Sequence, residues 1–225
     1  MSQYTLYIHS WFVTIGYHTG FTLEETTENG SSTRTIDLSK DKITGNIIFN
    51  YDNTGTGGDI AIGRVPVLTG SDAVAAFNKI TIATSILDSY QLDYGHLTSN
   101  CNSSTEVLID NFVPGWKGRA GEIFDQLPGF YVGDEYNRFR NNPYVQQALN
   151  NANAVIEQLT EAGIDLGSSA LKWLNTDDGL ITFDIDGTPY MIDKDGRLYE
   201  KGDDGLYRAV LGDIPQQCLL PATFE

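Results

Sequence analysis

Cys101 is the residue whose type and setting most directly suggest chemistry. It follows Asn100 in the segment Tyr94-Gly-His-Leu-Thr-Ser-Asn-Cys101 and opens a helical pattern that reaches about Phe112. In the first turn of a helix, unpaired backbone N–H groups and the positive end of the helix dipole stabilise a thiolate. The same N–H groups can bind the oxyanion that forms when a thiolate attacks a carbonyl carbon. Cys101 is therefore the predicted nucleophile, with Asn100 and Asn102 in the nucleophile and oxyanion loop.

A nucleophilic cysteine needs a base, and the chain contains three histidines: His9, His18 and His96. The segment 3–15 is rich in Tyr, Ile, Val, Trp and Thr, which favours a β-strand, and a strand could hold the ring of His9 against the start of the cysteine helix. We therefore predict His9 as the base. We expect His18 in an exposed turn, whereas His96, five residues before Cys101, is a rival base.

The residue that orients the imidazole is predicted from hairpin geometry. If the hairpin turns around residues 16–19, Thr26 falls opposite His9 and Glu24 lies on the diagonal, so that both share its face of the sheet. A third group on an adjacent strand commonly orients a catalytic histidine. Glu24 is therefore the candidate for this role.

These segments resemble those of a known family. The pattern Tyr94-x-x-Leu97-x-x-Asn100-Cys101 behind an amphipathic helix, with the early strand His9-Ser-Trp-Phe-Val13, is similar to circularly permuted NlpC-type papain-like hydrolases. That family includes peptidoglycan-cleaving amidases, lecithin retinol acyltransferase and some isopeptidases of ubiquitin-like proteins. Its histidine strand precedes its cysteine helix, as His9 precedes Cys101. The resemblance covers roughly residues 5–130 and departs at Ile8, where members often have glycine, and at Gly95-His96.

The predicted fold class is α+β. The resemblance implies a papain-like domain over residues 1–135, in which helices at about 73–87 and 101–112 pack on an antiparallel sheet. A helical segment over 136–170 follows, with its main helix at about 142–162 and a short helix at 168–175. Three Asp-Gly pairs, at 186–187, 195–196 and 204–205, are typical of hairpin turns. They predict a small β-meander as a C-terminal module over residues 171–225.

Composition excludes several kinds of partner. The chain has 14 basic and 30 acidic residues, a formal charge of −16 and a pI near 4.3, so we expect neither nucleic-acid binding nor membrane insertion. Cys218 stands alone and is expected to be structural. No cofactor or metal site is predicted, because zinc-ligand spacing is missing and the acidic tail does not complete an EF-hand loop. The N-terminus lacks the basic and apolar regions of a signal peptide, which predicts synthesis in the cytoplasm.

Function is predicted from the nucleophile and the resemblance together. The leading hypothesis is a hydrolase that cleaves a peptide or peptidoglycan amide through an acyl-thioester on Cys101. Export without a signal peptide would make it an antibacterial effector that acts in the periplasm of a target cell and has an immunity protein as partner. One alternative is an isopeptidase, acyltransferase or lipase of the same superfamily. Another is a catalytically inert papain-like binding module.

Overall fold

The computed structural model describes residues 2–13, 16–40, 42–52, 63–92, 101–117, 134–168, 171–177, 180–193 and 196–210. For some of these residues, including Cys101 and His18, only the backbone is described. Two antiparallel five-stranded sheets and four helices make up this part of the chain. The predicted α+β class is thereby confirmed, whereas the papain-like architecture and its permuted order stay predictions.

The first sheet contains the five N-terminal strands in the order β4-β3-β2-β1-β5. Its strands are β1 (Gln3–Val13), β2 (Gly16–Thr27), β3 (Gly30–Lys40), β4 (Ile47–Asp52) and β5 (Gly63–Thr69). Because side chains alternate across a strand, one face of this sheet collects the apolar residues. The fully or almost fully buried ones on this face are Leu6, Ile8, Phe21, Leu23, Ile36, Val65 and Val67.

Two helices cover that apolar face. They are α1 (Gly70–Ser89), which contacts β1, β2, β4 and β5, and α2 (Cys101–Phe112), which contacts β2 and β3. Two further helices follow, α3 (Asp134–Arg140) against α2 and α4 (Pro143–Glu161) against α1. The start of α4 is specified locally, because the Asn142 side chain accepts a hydrogen bond from the Tyr144 N–H and a proline follows the cap.

The second sheet is a meander of consecutive strands in the order β10-β9-β8-β7-β6. Its strands are β6 (Lys172–Asp177), β7 (Leu180–Ile185), β8 (Thr188–Ile192), β9 (Leu198–Lys201) and β10 (Tyr207–Ala209). Asp186 and Gly187 join β7 to β8 with φ angles of 53° and 85°, the left-handed pair that a tight type I′ hairpin turn requires. The predicted C-terminal strands are confirmed.

Asn78, a fully buried residue in the middle of α1, joins the second sheet to the rest of the molecule. Its amide group donates to the Leu166 carbonyl and accepts from the Leu171 N–H, both at 2.8 Å. From β3, Arg34 donates to the Leu171 carbonyl at 2.9 Å. The buried apolar residues of both sheets and all four helices form one continuous cluster. The meander therefore packs on the helices as part of the same hydrophobic core.

Two predicted local structures differ from the observed ones, and one helix was missed. Residues 16–20 are not a turn, because β2 begins at Gly16, directly across from Val13. The short helix expected at 168–175 is wrong: residues from Lys172 onwards form β6, where pairing with β7 outweighs the weak local signal. The helix α3 was not predicted from the sequence. The glycine-rich segment 115–134, for which the sequence predicts an ordered loop, lies mostly outside the described residues.

No helix in the part of the chain that the model describes has the length and apolar character needed to span a membrane.

Candidate active site

Helix α2 begins at Cys101 and is fixed to β2 through its first two turns. The Thr19 hydroxyl donates to the Asn102 side-chain oxygen at 2.9 Å, and the Thr105 hydroxyl donates to the Thr19 carbonyl at 3.3 Å. In its later turns the helix buries Leu108 and Ile109 in the core. The predicted helix over 101–112 is present, and its first two turns are hydrogen-bonded to β2.

The first two turns of α2 are unusual because their buried side chains are polar. Ser103, Ser104, Thr105 and Glu106 are at most 4% exposed, although polar residues of these types are mostly exposed in proteins. Four consecutive residues point to all sides of a helix, so the first turns of α2 are buried around their circumference and the side chains buried there are polar.

His9 is held by two neighbours on the first sheet. Its Nε2 lies 2.9 Å from the Asp37 carboxylate on β3, and its Nδ1 lies 2.7 Å from the Thr22 hydroxyl on β2. When Nε2 carries the proton and donates to Asp37, Nδ1 accepts from the Thr22 O–H. The ring is only 6% exposed. Both ring nitrogens are therefore engaged, and Asp37 is the carboxylate that fixes the imidazole.

Gly20 provides the space for this arrangement. It is paired with His9 on one side and with Asp37 on the other. A Cβ atom at this position would lie 2.6 Å from the Ile36 carbonyl oxygen, 2.7 Å from the Asp37 carboxylate and 3.0 Å from His9 Nε2. Glycine inside a strand often marks such a close approach. The His9–Asp37 contact therefore depends on a residue without a side chain.

Glu24, the predicted orienting residue, contacts a different partner. The register places Gly20, not Thr26, opposite His9, and Glu24 opposite Thr5. The expected register is thus wrong, because Val13 pairs with Gly16 and residues 16–19 belong to β2 instead of forming a turn. The Glu24 carboxylate forms an ion pair with Arg64, whose guanidinium stacks on the Tyr7 ring at 3.9 Å.

The model places His9 and α2 on opposite faces of the sheet. Thr19 and Gly20 are consecutive in β2, so their side-chain directions point to opposite faces. Thr19 contacts α2, whereas the Gly20 side-chain direction points at the His9 ring. On β1, Ser10 is the residue paired with Thr19 and shares its face. The imidazole of His9 is therefore not directed towards the helix that carries Cys101.

The remaining candidates are only partly described. Asn100, His96 and Cys218 lie outside the described residues. His18 is described by its backbone, which lies in β2 opposite Trp11 and not in a turn. It is the neighbour of Thr19, which contacts α2, so the backbone of β2 brings this histidine close to the helix start.

Two residues of the region were missed from the sequence. Asp37 could not be found, because its contact with His9 depends on the register of three strands. Glu106 did carry a signal, since it precedes Ile109 by three residues and Val113 by seven, which places it on the buried stripe of an amphipathic helix. A carboxylate on such a stripe predicts a buried acidic group, which is rare in proteins unless it is paired.

The described residues contain no group of three or more His, Cys, Asp or Glu side chains that could hold a metal ion. Comparison with protein-family models, with curated proteins and with solved structures finds no match to this chain. The class that the geometry defines is thus an α+β protein of two antiparallel sheets, in which a helix opened by a cysteine packs on the first sheet.

Proposed function

We propose that this chain is a cysteine hydrolase that cleaves an amide bond through an acyl-thioester on Cys101. The observation that carries the proposal is the position of Cys101 as the first described residue of α2, whose first turns are anchored to β2 at Thr19. A fixed helix start keeps backbone N–H groups aimed at one point, which is what stabilisation of an oxyanion requires. The resemblance to permuted papain-like hydrolases is the second support.

The proposed reaction has two halves. The Cys101 thiolate attacks the carbonyl carbon of the amide, the C–N bond breaks, and a base returns a proton to the departing amine. Water then attacks the thioester carbon, the C–S bond breaks, and the thiol is restored. Peptidoglycan cross-linking peptides are the proposed substrate, as the family resemblance implies, and action in the periplasm of a rival cell with an immunity protein as partner remains part of the proposal.

The base of this reaction is one of the three histidines, and alanine variants of each will identify which one. His9 is the choice from sequence, His18 stands in β2 next to Thr19, and His96 lies in the segment before Cys101. Replacing the true base by alanine is expected to lower kcat by at least about 100-fold, the usual contribution of general base catalysis. The other two alanine variants should retain most of the activity.

The test of the proposal is digestion of purified cell-wall sacculi, with the released fragments analysed by mass spectrometry. Wild-type protein should release peptide fragments with new amino or carboxyl ends, and Cys101→Ala should release none. Cys218→Ala is the matched control and should act like the wild type. Release by Cys101→Ala at the wild-type rate would disprove the assignment of the nucleophile.

A second candidate function is a binding module without catalysis. One specific observation favours it: His9 has both ring nitrogens engaged and lies on the face away from α2. A binding module would co-sediment with sacculi equally well as wild type and as Cys101→Ala, and neither would release fragments. The digestion experiment therefore distinguishes the two functions.

A further inference from the structure

Glu106 is a carboxylate buried in α2 without a hydrogen-bond partner for one of its oxygens. Its side chain is 2% exposed, and its Oε1 accepts no hydrogen bond within the part of the chain that the model describes. A buried polar atom that is left unsatisfied costs about 1–3 kcal/mol, and more when the group is charged. The ionised form of Glu106 is therefore costly in this position.

Within the part of the chain that the structure describes, the ammonium group of Lys117 is the cation near that carboxylate. The Lys117 Nζ lies 3.7 Å from Glu106 Oε1, beyond hydrogen-bond distance, and 3.4 Å from each oxygen of the Asp110 carboxylate. The Lys117 side chain is 59% exposed, so it is free to move between these neighbours. Two carboxylates thus share one cation, and the cation lies closer to Asp110.

Asp110 connects this pair to the contact between α2 and α3. The Trp116 indole N–H and the Tyr136 hydroxyl each donate to Asp110 at 2.6 Å. Arg140 in turn donates to the Tyr136 hydroxyl at 3.1 Å. The Lys117 Nζ also lies 5.4 Å from the centre of the Trp116 ring. Any movement of Lys117 therefore changes the surroundings of Trp116.

We propose that Glu106 and Lys117 form a proton-controlled switch at the junction of α2 and α3. When Glu106 is protonated, Lys117 remains with Asp110, the arrangement of this structure. When Glu106 loses its proton, the carboxylate draws the ammonium inward and away from Asp110. Asp110, which accepts hydrogen bonds from Trp116 and Tyr136, then loses its ion pair with Lys117. The contact between α2 and α3 loosens as a result. This inference is independent of catalysis by Cys101.

The electrostatics of the site support a transition near neutral pH. Burial raises the pKa of Glu106 to about 7, Lys117 acts to lower it, and Asp110 raises it further. Among the described residues, Lys117 and Asp110 are the charged groups that act on Glu106. From α3, Tyr136 donates to Asp110 and Arg140 donates to the Tyr136 hydroxyl. The carboxyl group would thus lose its proton near neutral pH.

The experiment is a pH titration of the full chain labelled with 5-fluorotryptophan, followed by fluorine NMR. The chain has three tryptophans, and Trp116→Phe identifies the Trp116 line. That line should shift between pH 5.5 and 8.5 with a midpoint near 7. In Glu106→Gln, which stays uncharged, this transition should be lost. In Lys117→Met the midpoint should rise by about half a unit or more, because a favourable charge is removed.

The matched control is Glu161→Gln, which removes an exposed carboxylate at the end of α4. Its Trp116 transition should keep the wild-type midpoint. Histidines also titrate near this range, and the Glu106→Gln variant separates their effect. A Trp116 transition that persists in Glu106→Gln would overturn the switch, as would a Trp116 line that does not move between pH 5.5 and 8.5.

Discussion

His9 on the first sheet and Glu106 in the helix α2 are two buried ionisable side chains, and their surroundings differ. His9 has a partner for each ring nitrogen, with Asp37 and Thr22 within 2.9 Å. Among the described residues, Glu106 has no hydrogen-bond partner for one of its oxygens, and it shares a cation at 3.7 Å with Asp110. A buried polar group with its partners in place is held in one arrangement. For Glu106, the cost of burial depends on its protonation state, because the charged form is the more expensive one to bury.

The same comparison bears on the candidate active site. His9, with both ring nitrogens hydrogen-bonded, lies on the face of the sheet away from α2. Glu106 lies in α2, the helix whose first described residue is Cys101. The resemblance to papain-like enzymes predicts that the histidine on the strand faces the cysteine at the helix start. On β1 the residue that shares the α2 face beside Thr19 is Ser10, one position from the predicted base.

The largest expected effect comes from Glu106→Gln. The pKa of Glu106 is raised from 4.5 to about 7 in the folded protein, so the folded state binds the proton more tightly than the unfolded state. Its contribution to stability is therefore full below pH 4.5 and is lost as the pH rises through about 7. That loss is about 3 kcal/mol, and the glutamine variant does not incur it.

Urea denaturation at pH 4.5 and pH 8.5 measures this effect. The stability of Glu106→Gln relative to wild type should rise by about 3 kcal/mol between the two pH values. If the difference in unfolding free energy between Glu106→Gln and wild type does not change with pH, the pKa of Glu106 is not raised by folding. The account of Glu106 as a costly buried carboxylate would then be wrong.

The next effect concerns the room that Gly20 provides. In Gly20→Ala the new methyl group would meet the Ile36 carbonyl at 2.6 Å and the Asp37 carboxylate at 2.7 Å. Overpacking of this kind costs about 2 kcal/mol, measured as a loss of unfolding free energy in urea. Thr26→Ala, at an exposed position of the same strand, is the control and should change stability by less than about 0.5 kcal/mol. Equal effects of both variants would mean that the His9 network is not tightly packed.

The smallest effects separate the two acidic residues near His9. Asp37→Ala leaves a buried ring nitrogen without its partner and should cost about 1 to 2 kcal/mol. Glu24→Ala removes an ion pair with Arg64 that is partly exposed to solvent, and should cost less than about 1 kcal/mol. Thermal unfolding in low salt can compare them. A larger loss of stability for Glu24→Ala than for Asp37→Ala would contradict the assignment of Asp37 as the carboxylate that holds His9.

Local patterns in the sequence predicted the fold well where they were strong. The Asp-Gly turns predicted the C-terminal strands, and Asn142-Pro143 predicted the start of α4. Residues 168–175 failed because a weak helical signal was outweighed by pairing of Trp173 with Phe183. The papain-like fold, the site residues and the division into 1–135, 136–170 and 171–225 remain predictions, although the continuous core argues against independent folding of the meander.

The site was harder to predict because it depends on register. The start of α2 at Cys101 followed from residue types alone. The partner of His9 did not, because displacing the hairpin turn by a few residues changes which side chains face each other. Asp37 is 28 residues from His9 in the chain, and no local pattern joins them.

The central claim, that Cys101 is an activated nucleophile at a helix start, is tested most directly by the pH dependence of its alkylation. Iodoacetamide labelling is followed by mass spectrometry in a Cys218→Ala background, so that only Cys101 reacts. We expect a labelling midpoint clearly below the free-thiol value of about 8.5, with rapid reaction near neutral pH. A midpoint at or above that value in the folded protein would contradict a catalytic role for Cys101 and would favour the binding module.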